Sequence, residues 1–341
     1  MKKMKFFGSL VFFVNSLAAF LLLISYILPY IPPKSFSSLS VLSLSVPLLI
    51  IINAFFFVYW VLRLRKQLLL SLFVLALGWN HVGSLYKFSS SEPTSNNESM
   101  SVLSFNVRLF NEYKWLPSET IKEDIVALIQ TESPEIVCLQ EYRRGNPVKL
   151  DGYFNFNATY TKETRGGQVI YSKYPIINTG SLEFQNTNNN AIFADIVKQK
   201  DTIRVYNMHL QSARINTEHE EISTRTSGSL FKRVGRMFKA QQEQVELFKK
   251  HKSQCPYKVI VTGDFNNTAY SYTFDQITGD DLVDTFTEAG SGFGKTFEFK
   301  YFPMRIDFIL VDKSFNVLNF KTFNDLKLSD HYPIKTTVSL Q

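Results

Sequence analysis

Long uninterrupted hydrophobic stretches fill the N-terminal part of the chain. They cover residues 6–28, 36–62 and 67–86. None contains Asp, Glu, Lys or Arg, and each has about 20 residues or more, enough for a helix to cross the ~30 Å core of a bilayer. A buried hairpin in a soluble core is the alternative, but such cores rarely contain these lengths without an acid. We predict a membrane anchor of three spans over residues 1–88, with Asn80 and His81 weakening the third.

The basic residues of the anchor predict its orientation. Three lysines lie within residues 1–5 and three basic residues within residues 63–66, whereas the loop between the first two stretches carries only Lys34. Because loops rich in Lys and Arg tend to stay cytoplasmic, three crossings place everything beyond Lys87 outside the cytoplasm. Residues 89–99, rich in Ser, Asn, Glu and Pro, predict a hydrophilic tether.

Beyond residue 100 the pattern becomes that of a mixed α/β domain. Ile121, Ile125 and Ile129 lie at helical spacing and predict an amphipathic helix over residues 119–130. Short alternating or continuously apolar runs predict strands. These cover residues 100–107, 135–140, 168–172, 191–197, 203–209, 258–262, 305–311 and 334–340. Residues 100–341 therefore predict a layered α/β domain.

The charge of the chain is distributed unevenly. Of its 37 basic residues, eight lie in the first 87 residues, which contain no acid, so the rest of the chain carries 29 basic and 30 acidic residues. The net charge of +7 therefore reflects the anchor and does not favour nucleic-acid binding by the α/β domain. Cys138 and Cys255 are too few for a disulfide framework.

Polar residues directly follow or interrupt several of the predicted strands. Such side chains can converge on one edge of a sheet, where ligands bind. A single carboxylate after a strand is more often a cap or turn residue, so only the set as a whole predicts a site. The set comprises Asn106, Glu141, His209, Asp264, Asn266, Asp307, Asp330 and His331.

The segments that carry these residues resemble, in the same order, the endonuclease/exonuclease/phosphatase superfamily. They read SFNV at 104–107, LQE at 139–141, GQVIYSKYPI at 167–176, NMHL at 207–210, GDFN at 263–266, RIDFI at 305–309 and SDHYP at 329–333. The resemblance covers residues 100–341. It implies a four-layered α/β/β/α sandwich, preceded here by the transmembrane helices, with the active site at one edge.

The residue types suit metal-dependent hydrolysis of a phosphoester. Such hydrolysis needs charge neutralised on the phosphoryl oxygens and an attacking water held in line. Carboxylate oxygens favour Mg²⁺, with Mn²⁺ as an alternative, and no Cys/His cluster has zinc spacing. Glu141 is the best candidate ligand, and the resemblance adds Asn106 and Asp330.

The resemblance also implies catalytic roles. Asp264 would deprotonate the attacking water, and Asn266 would hold that water or a phosphoryl oxygen. Asp307 would hydrogen-bond His331 and favour its cationic form. His209 would be a second histidine facing the phosphate, although a satisfied histidine at a strand end is the alternative.

Two further residues are candidates for contacts with substrate. Some superfamily members have an acid two residues after the position of Asn106, whereas this chain has Arg108. The difference argues against a second tightly bound metal and makes Arg108 a candidate contact for a substrate phosphate. Asn207, two residues before His209, is the other candidate.

A basic segment over residues 222–242 contains no acid and has apolar residues at helical spacing. Three interpretations remain open: a helix with its apolar face on the core and its basic face in solvent, a contact with the membrane surface, or a contact with a polyanionic substrate. Three function classes also remain open. The favoured one is a membrane-tethered phosphoesterase acting on a lipid head group or small phosphoester, with a diester favoured over a monoester. The others are an outward-facing nuclease and an inactive binding module.

Overall fold

The computed structural model describes residues 6–88, 99–143, 145, 147–159, 166–213 and 224–340. The predicted tether, apart from Ser99, and the N-terminal lysines lie outside the described residues.

The N-terminal region is helical throughout. Its α-helices are α1 (Phe6–Ser25), α2 (Pro33–Ser40), α3 (Val46–Leu62), α4 (Leu68–Leu77) and α5 (Trp79–Leu85), with 3-10 turns at Leu28–Tyr30 and Val41–Ser45. Two helical stretches, Phe6–Tyr30 and Pro33–Leu62, are long and apolar enough to cross a membrane. Buried polar contacts link three of the helices: Asn15 Nδ2 donates to Ser71 Oγ at 2.8 Å, and Trp60 Nε1 donates to Asn15 Oδ1 at 2.9 Å. Such contacts join helices in a medium that offers no water.

The third predicted span differs from the straight helix expected over residues 67–86. Helices α4 and α5 meet at Gly78 and are bent by 80°. The Tyr26 hydroxyl donates to Val74 O at 2.9 Å and lies so close that a Cβ on Gly78 would be 2.1 Å from it. The ten residues of α4 rise only about 15 Å, which is too short to cross a bilayer. A third crossing therefore has to be a broken one.

Two six-stranded sheets form the rest of the molecule. The strands are β1 (Tyr86–Lys87), β2 (Ser99–Asn106), β3 (Ile136–Arg143), β4 (Phe154–Thr159), β5 (Gly166–Ser172), β6 (Ile176–Ser181), β7 (Asn190–Lys198), β8 (Asp201–His209), β9 (Lys258–Asp264), β10 (Leu282–Asp284), β11 (Gly292–Phe293), β12 (Asp307–Asp312), β13 (Phe315–Thr322) and β14 (Ile334–Leu340). Sheet one has the order β13-β14-β2-β3-β5-β4, and sheet two has the order β10-β12-β9-β8-β7-β6. β1 and β11 form a separate antiparallel pair.

The helices of this region are α6 (Ile121–Glu132), α7 (Thr224–Lys252), α8 (Tyr272–Thr278) and α9 (Thr285–Ala289). An apolar core that includes Ile170 and Val205 lies between the sheets. Helix α6 covers the outer face of sheet one through Ile125. Helices α7 and α8 cover the outer face of sheet two through Phe248 and Ile277. The predicted α/β/β/α sandwich is therefore confirmed.

Each sheet contains one parallel pair of strands. Strand β2 pairs parallel with β3, and β8 pairs parallel with β9, whereas the other ladders of the two sheets are antiparallel. Strand β12 begins opposite the end of β9, because Asp307 faces Asp264 in the ladder. The carboxyl ends of both parallel pairs therefore lie at one edge of the sandwich.

The N-terminal helices, the predicted anchor, pack directly on this sandwich. Tyr270 is 3% exposed and belongs to the same apolar cluster as Leu22, Val46 and Leu85 of the anchor. Its hydroxyl donates to the carbonyl of His81 at 3.2 Å, and Thr268 Oγ1 donates to a carbonyl of the 3-10 turn Val41–Ser45 at 3.2 Å. The two parts of the chain therefore share one buried interface.

Candidate active site

The first parallel pair delivers Asn106 and Glu141. Asn106 ends β2, is 1% exposed, and its Nδ2 donates to Glu141 Oε1 at 3.3 Å and to Asp264 Oδ2 at 3.0 Å. Glu141 lies where the pairing of β3 with β5 shifts by one residue, and its φ is +48°. A bulge of this kind turns a side chain out of the ladder. The Glu141 side chain is thereby directed into the edge and keeps 35% exposure.

The second parallel pair delivers His209 and Asp264, which are opposite each other in the ladder. Gly263 precedes Asp264 with φ +130°, and a Cβ there would lie 1.9 Å from Met208 O. Only glycine fits such a close approach of two backbones. Gly263 therefore allows β9 to bring the Asp264 carboxylate to the edge, and no larger residue can replace this glycine.

Asp264 is the centre of the cluster. Its Oδ2 lies 3.6 Å from His209 Nε2 and 3.7 Å from His331 Nε2. Asn266, with φ +48°, donates its backbone N–H to Asp264 Oδ1 at 2.8 Å and its Nδ2 to Leu210 O at 3.0 Å. Burial raises the pKa of Asp264 to about 6, helped by the nearby Asp307 carboxylate and opposed by His331 and His209. A buried carboxyl with a raised pKa is suited to accepting a proton.

Asp307 and His331 form a buried pair. His331 Nδ1 lies 3.0 Å from Asp307 Oδ2 and 3.1 Å from Oδ1. Thr296 Oγ1 accepts the backbone N–H of Asp307 at 3.1 Å, and the Phe297 ring lies 4.9 Å from the imidazole. Burial alone would lower the pKa of His331, but the carboxylates of Asp307 and Asp264 outweigh it and raise that pKa to about 10. His331 is therefore cationic at neutral pH, whereas burial lowers the pKa of His209.

Arg108 and Asp330 close one side of the site. Arg108 Nη1 lies 3.3 Å from Asp330 Oδ2, and its guanidinium stacks over the Trp115 ring at 4.2 Å. Residues 108–111 all have positive φ, between 41° and 60°, which turns the chain away directly after β2. Arg108 is thus held at the rim, with part of its charge offset by Asp330.

The donor set fits a hard divalent cation. Glu141 and Asp330 interact electrostatically, and burial together with Asp330 raises the pKa of Glu141. A bound cation would relieve this crowding of negative charge. Asp264, Asp307 and His331 also each offer one potential ligand atom, and these three atoms lie within 4.8 Å of one another. The oxygens of Asp307 are already engaged by His331, so the partly exposed Glu141 is the better ligand.

Asn207, predicted to contact substrate, does not lie at the edge with the other site residues. Its side chain is fully buried between the sheets, where Nδ2 donates to Leu139 O and Val169 O and Oδ1 accepts from Gln140 Nε2 at 2.7 Å. Gln168 Nε2 also donates to Asn207 O at 2.8 Å. The hydrogen bonds of this buried side chain therefore join the two sheets beneath the site.

Sequence reasoning also missed residues that support the site. Thr296 accepts the backbone N–H groups of both Ile306 and Asp307, although no strand signal surrounds it. Gln241 of α7 donates to Phe265 O at 3.1 Å and so holds the loop that carries Asn266. Both contacts join residues far apart in the chain, so local pattern gives no signal for them. The Gly in GDFN was the one available hint of a tight approach.

Comparison with known proteins places this geometry in a family. The model of the endonuclease/exonuclease/phosphatase family matches residues 103–331. A second model, for a domain of unknown function, matches residues 8–85. No curated protein matches the chain.

Several solved structures share the fold. An endonuclease/exonuclease/phosphatase protein from Beutenbergia cavernae is 17% identical, with a TM-score of 0.54 and coverage of 72% of each chain. The catalytic domain of human Nocturnin, solved with a bound sulfate anion, is 16% identical, with a TM-score of 0.53 and coverage of 75% of this chain and 98% of its own. Truncated TDP2 from Caenorhabditis elegans is 17% identical, with a TM-score of 0.52 and coverage of 71% and 98%.

The sandwich and its edge of carboxylates and histidines define a metal-dependent phosphoesterase, a hydrolase. The chain belongs to the endonuclease/exonuclease/phosphatase family.

Proposed function

We propose that this protein is a Mg²⁺-dependent phosphodiesterase that works at the membrane surface, on a lipid head group or a small phosphoester. The observation that carries the proposal is the convergence of the site residues from six strands and loops around Asp264, beside a domain interface with apolar helices. A diester is favoured over a monoester as substrate. Mn²⁺ is an alternative metal.

Glu141 would hold the cation with Asn106 and Asp330. The cation would neutralise charge on the phosphoryl oxygens and on the leaving oxygen. Arg108 at the rim would give up its ion pair with Asp330 and contact a phosphate oxygen of the substrate instead. One cation is sufficient for this arrangement, because the position two residues after Asn106 holds the basic residue Arg108 and not a second acidic ligand.

Asp264 would take the proton of the attacking water. The hydrogen bond from the Asn266 backbone N–H orients one carboxylate oxygen. The raised pKa makes the carboxylate basic enough to accept the proton. His331, kept cationic by Asp307, would donate a hydrogen bond to a phosphoryl oxygen as negative charge develops there. His209, whose Nε2 lies 3.6 Å from the same Asp264 oxygen that His331 approaches, would face the same phosphate as a neutral imidazole.

The position of the site relative to the anchor supports a membrane-associated substrate. Asn266 is four residues from Tyr270, whose ring lies in the anchor cluster, and two residues from Thr268, which contacts the 3-10 turn before α3. The loop at the site therefore continues directly into the anchor interface. A site so close to the bilayer meets head groups at high effective concentration.

The anchor contacts support an extracytoplasmic catalytic domain. The sandwich packs on the end of α1 and the beginning of α3, through the turn Leu28–Tyr30 against α8 and Val46 beside Tyr270. The basic residues 63–66 follow the opposite end of α3. Since basic loops stay cytoplasmic, the sandwich would lie outside. The return of α5 to the sandwich supports a broken third crossing rather than a re-entrant loop.

A nuclease is the second candidate. A Danio rerio TDP2 structure with the same fold contains a single-stranded DNA product, at 14% identity and a TM-score of 0.52. The near balance of 29 basic and 30 acidic residues beyond the anchor argues against it, because nucleic-acid binding needs a basic surface.

The test is an activity screen of the full-length protein in lipid nanodiscs. Hydrolysis is measured with Mg²⁺ or Mn²⁺ on a generic phosphodiester, sphingomyelin, phosphoinositides, single-stranded DNA and RNA. We expect diester hydrolysis that EDTA abolishes and that increasing salt weakens little. Hydrolysis of DNA with a steep loss between low and high salt would instead support the nuclease.

Orientation is tested separately by labelling in intact cells. Lys200→Cys, in a Cys255→Ser background, places a thiol on an exposed hairpin of the sandwich. A membrane-impermeant maleimide should label it without permeabilisation. Labelling only after permeabilisation would place the enzyme on the cytoplasmic side.

A further inference from the structure

Helix α7 carries a stripe of basic residues that the catalytic site does not use. We define the basic stripe as Lys232, Arg236 and Lys239, which lie four and three residues apart and therefore on one side of the helix. All three are exposed, and within the part of the chain that the structure describes they make no ion pair. The sequence has no acid between Ile222 and Gln242. The stripe therefore projects an uncompensated positive charge.

The basic stripe lies beside the N-terminal helices, although its side chains remain exposed to solvent. Val234, Met237 and Phe238 on the adjoining face of α7 pack against Val41 and Leu44. In one of the three interpretations of residues 222–242, the apolar face of the helix lies on the core of the sandwich. The first half of α7 instead rests on the helical anchor, and only its second half covers sheet two.

A cleft of about 250 Å³ lies between α2 and the basic stripe. The three basic residues form one wall, and Ser37 and Ser38 of α2 form the other. The floor is open because α7 has glycine at position 235, where a Cβ would be 3.4 Å from Ser37 Oγ. Cationic side chains opposite serine hydroxyls are a donor set for phosphate oxygens.

The sequence of helices puts the cleft beside the head groups of a bilayer that α3 would cross. Helix α3 has 17 residues and rises about 25 Å, and the 3-10 turn Val41–Ser45 separates it from α2, which is kinked at Phe36 and carries the polar sequence PKSFSS. The polar beginning of the stretch Pro33–Leu62 would therefore lie outside the ~30 Å hydrocarbon core. Phe36 and Phe231 are 58% and 45% exposed on either side of the cleft. Exposed aromatic residues beside basic residues are typical of a surface that lies in the membrane interface.

We propose that this cleft binds the phosphate of an anionic phospholipid head group at a site separate from the catalytic one. Gln241, which holds the active-site loop, is two residues after Lys239 and therefore about 200° around the helix from it. The cleft and the active site thus lie on opposite sides of α7. A lipid bound in the cleft would fasten α7 to α2, while the far side of the same helix holds the Asn266 loop.

The test is lipid binding to the full-length, delipidated protein in detergent, followed by native mass spectrometry. Phosphatidylglycerol and phosphatidylcholine with identical acyl chains are titrated onto the wild type. They are also titrated onto a triple variant, Lys232→Gln/Arg236→Gln/Lys239→Gln. A basic residue near anionic lipid contributes about fivefold in affinity. We therefore expect the triple variant to bind phosphatidylglycerol at least about tenfold more weakly, with phosphatidylcholine binding unchanged.

Two further variants distinguish the cleft from charge in general. Lys200→Gln/Lys250→Gln/Lys313→Gln removes three exposed lysines elsewhere and should bind phosphatidylglycerol like the wild type. Ser38→Trp fills the cleft, keeps every charge, and should weaken binding as the triple variant does. Thermal unfolding identifies folded variants, and Ser38→Trp decides the outcome if the triple variant does not fold.

Three results would overturn the proposal. The first is equal loss in the control lysine variant, which would indicate general electrostatic attraction. The second is equal affinity for phosphatidylglycerol and phosphatidylcholine. The third is competition by inorganic phosphate, glycerol 1-phosphate or a DNA oligonucleotide at the concentration that phosphatidylglycerol needs, which would assign the cleft to a soluble anion or a nucleic acid.

Discussion

The active-site edge and the anchor interface are both buried, but different forces hold them. At the edge, charged side chains hold one another: Asp264 alone contacts Asn106, Asn266 and both histidines. At the interface, the Tyr270 ring lies in an apolar cluster, and the polar contacts of Tyr270 and Thr268 end on backbone carbonyls. The residues at the edge are therefore suited to catalysis, whereas those at the interface hold the two parts of the chain together.

This difference predicts a separation of effects. A buried cluster of like charges is a cost to folding that is retained because function requires it. An apolar interface contributes stability in proportion to the area it removes from water. Substitutions at the edge should then change rates more than stability, and substitutions at the interface should do the reverse.

Asp264→Asn should have the largest effect. Losing the proton acceptor should lower kcat by about 10²–10⁴-fold. Stability in EDTA should be equal or higher. Burial raises the pKa of this carboxyl to about 6, so at neutral pH the folded protein holds its negative charge at a cost that the neutral amide removes. Hydrolysis rates and thermal midpoints measure both effects.

Asp201→Asn, at the exposed first residue of β8, is the matched control and should change neither quantity. If Asp264→Asn unfolded the protein, the proposed separation between edge and interface would be wrong. If it left kcat intact, another group would have to accept the proton.

Tyr270→Ala should have the next largest effect, on stability. Deleting a fully buried aromatic ring typically costs about 3 kcal/mol or more, so the thermal midpoint should fall by several degrees. The kcat of the folded fraction should change by less than about tenfold, since the ring touches no reacting group. Tyr301→Ala, a tyrosine that is 61% exposed, should leave the midpoint unchanged. A loss of kcat as large as that of Asp264→Asn would show that the interface also governs the chemistry.

The sequence predicted the central strands well and the edge strands poorly. All eight predicted strands exist, and β14 matches residues 334–340 at both ends. Within the two six-stranded sheets, the missed strands β4, β6, β10 and β13 are the four edge strands. The two-residue strands β1 and β11 were missed as well. Strand β6, for example, is largely exposed along its length and offers no apolar run. Periodicity detects burial, so it detects strands that are covered on both sides.

The site illustrates the same limit. Eight of the ten candidate residues meet at one edge of the sandwich because they end or precede central strands, and Arg108 lies at its rim. Asn207 and His209 lie two residues apart and therefore on the same face of β8. The Asn207 side chain is enclosed between the two sheets, whereas His209 ends the strand and reaches the open edge. The break at Gly78 depends on a distant tyrosine, Tyr26, that no local pattern connects to it.

Glu141→Gln tests whether Glu141 binds the metal ion at the active-site edge. If Glu141 holds the cation, replacing its carboxylate with the glutamine amide should raise the Mg²⁺ concentration for half-maximal hydrolysis by at least about tenfold. Stability in EDTA should not fall, because burial and Asp330 already raise the pKa of this carboxyl. Glu183→Gln, at an exposed turn, is the control. An unchanged Mg²⁺ dependence with a lowered kcat would give Glu141 a role other than holding the metal.

The smallest effect is expected at the rim of the anchor interface, where Lys34 Nζ lies 2.7 Å from Glu246 Oε2. The two side chains are 41% and 52% exposed, so water and salt screen their attraction. A double-mutant cycle of Lys34→Gln and Glu246→Gln should give a coupling energy of about 0.2–1 kcal/mol that decreases with salt. The backbone N–H of Lys34 donates to Gln242 Oε1 at 2.9 Å whichever side chain is present, so α2 and α7 should stay together in both variants. A coupling above about 2 kcal/mol would mean that charge, and not apolar contact, holds the anchor to the enzyme.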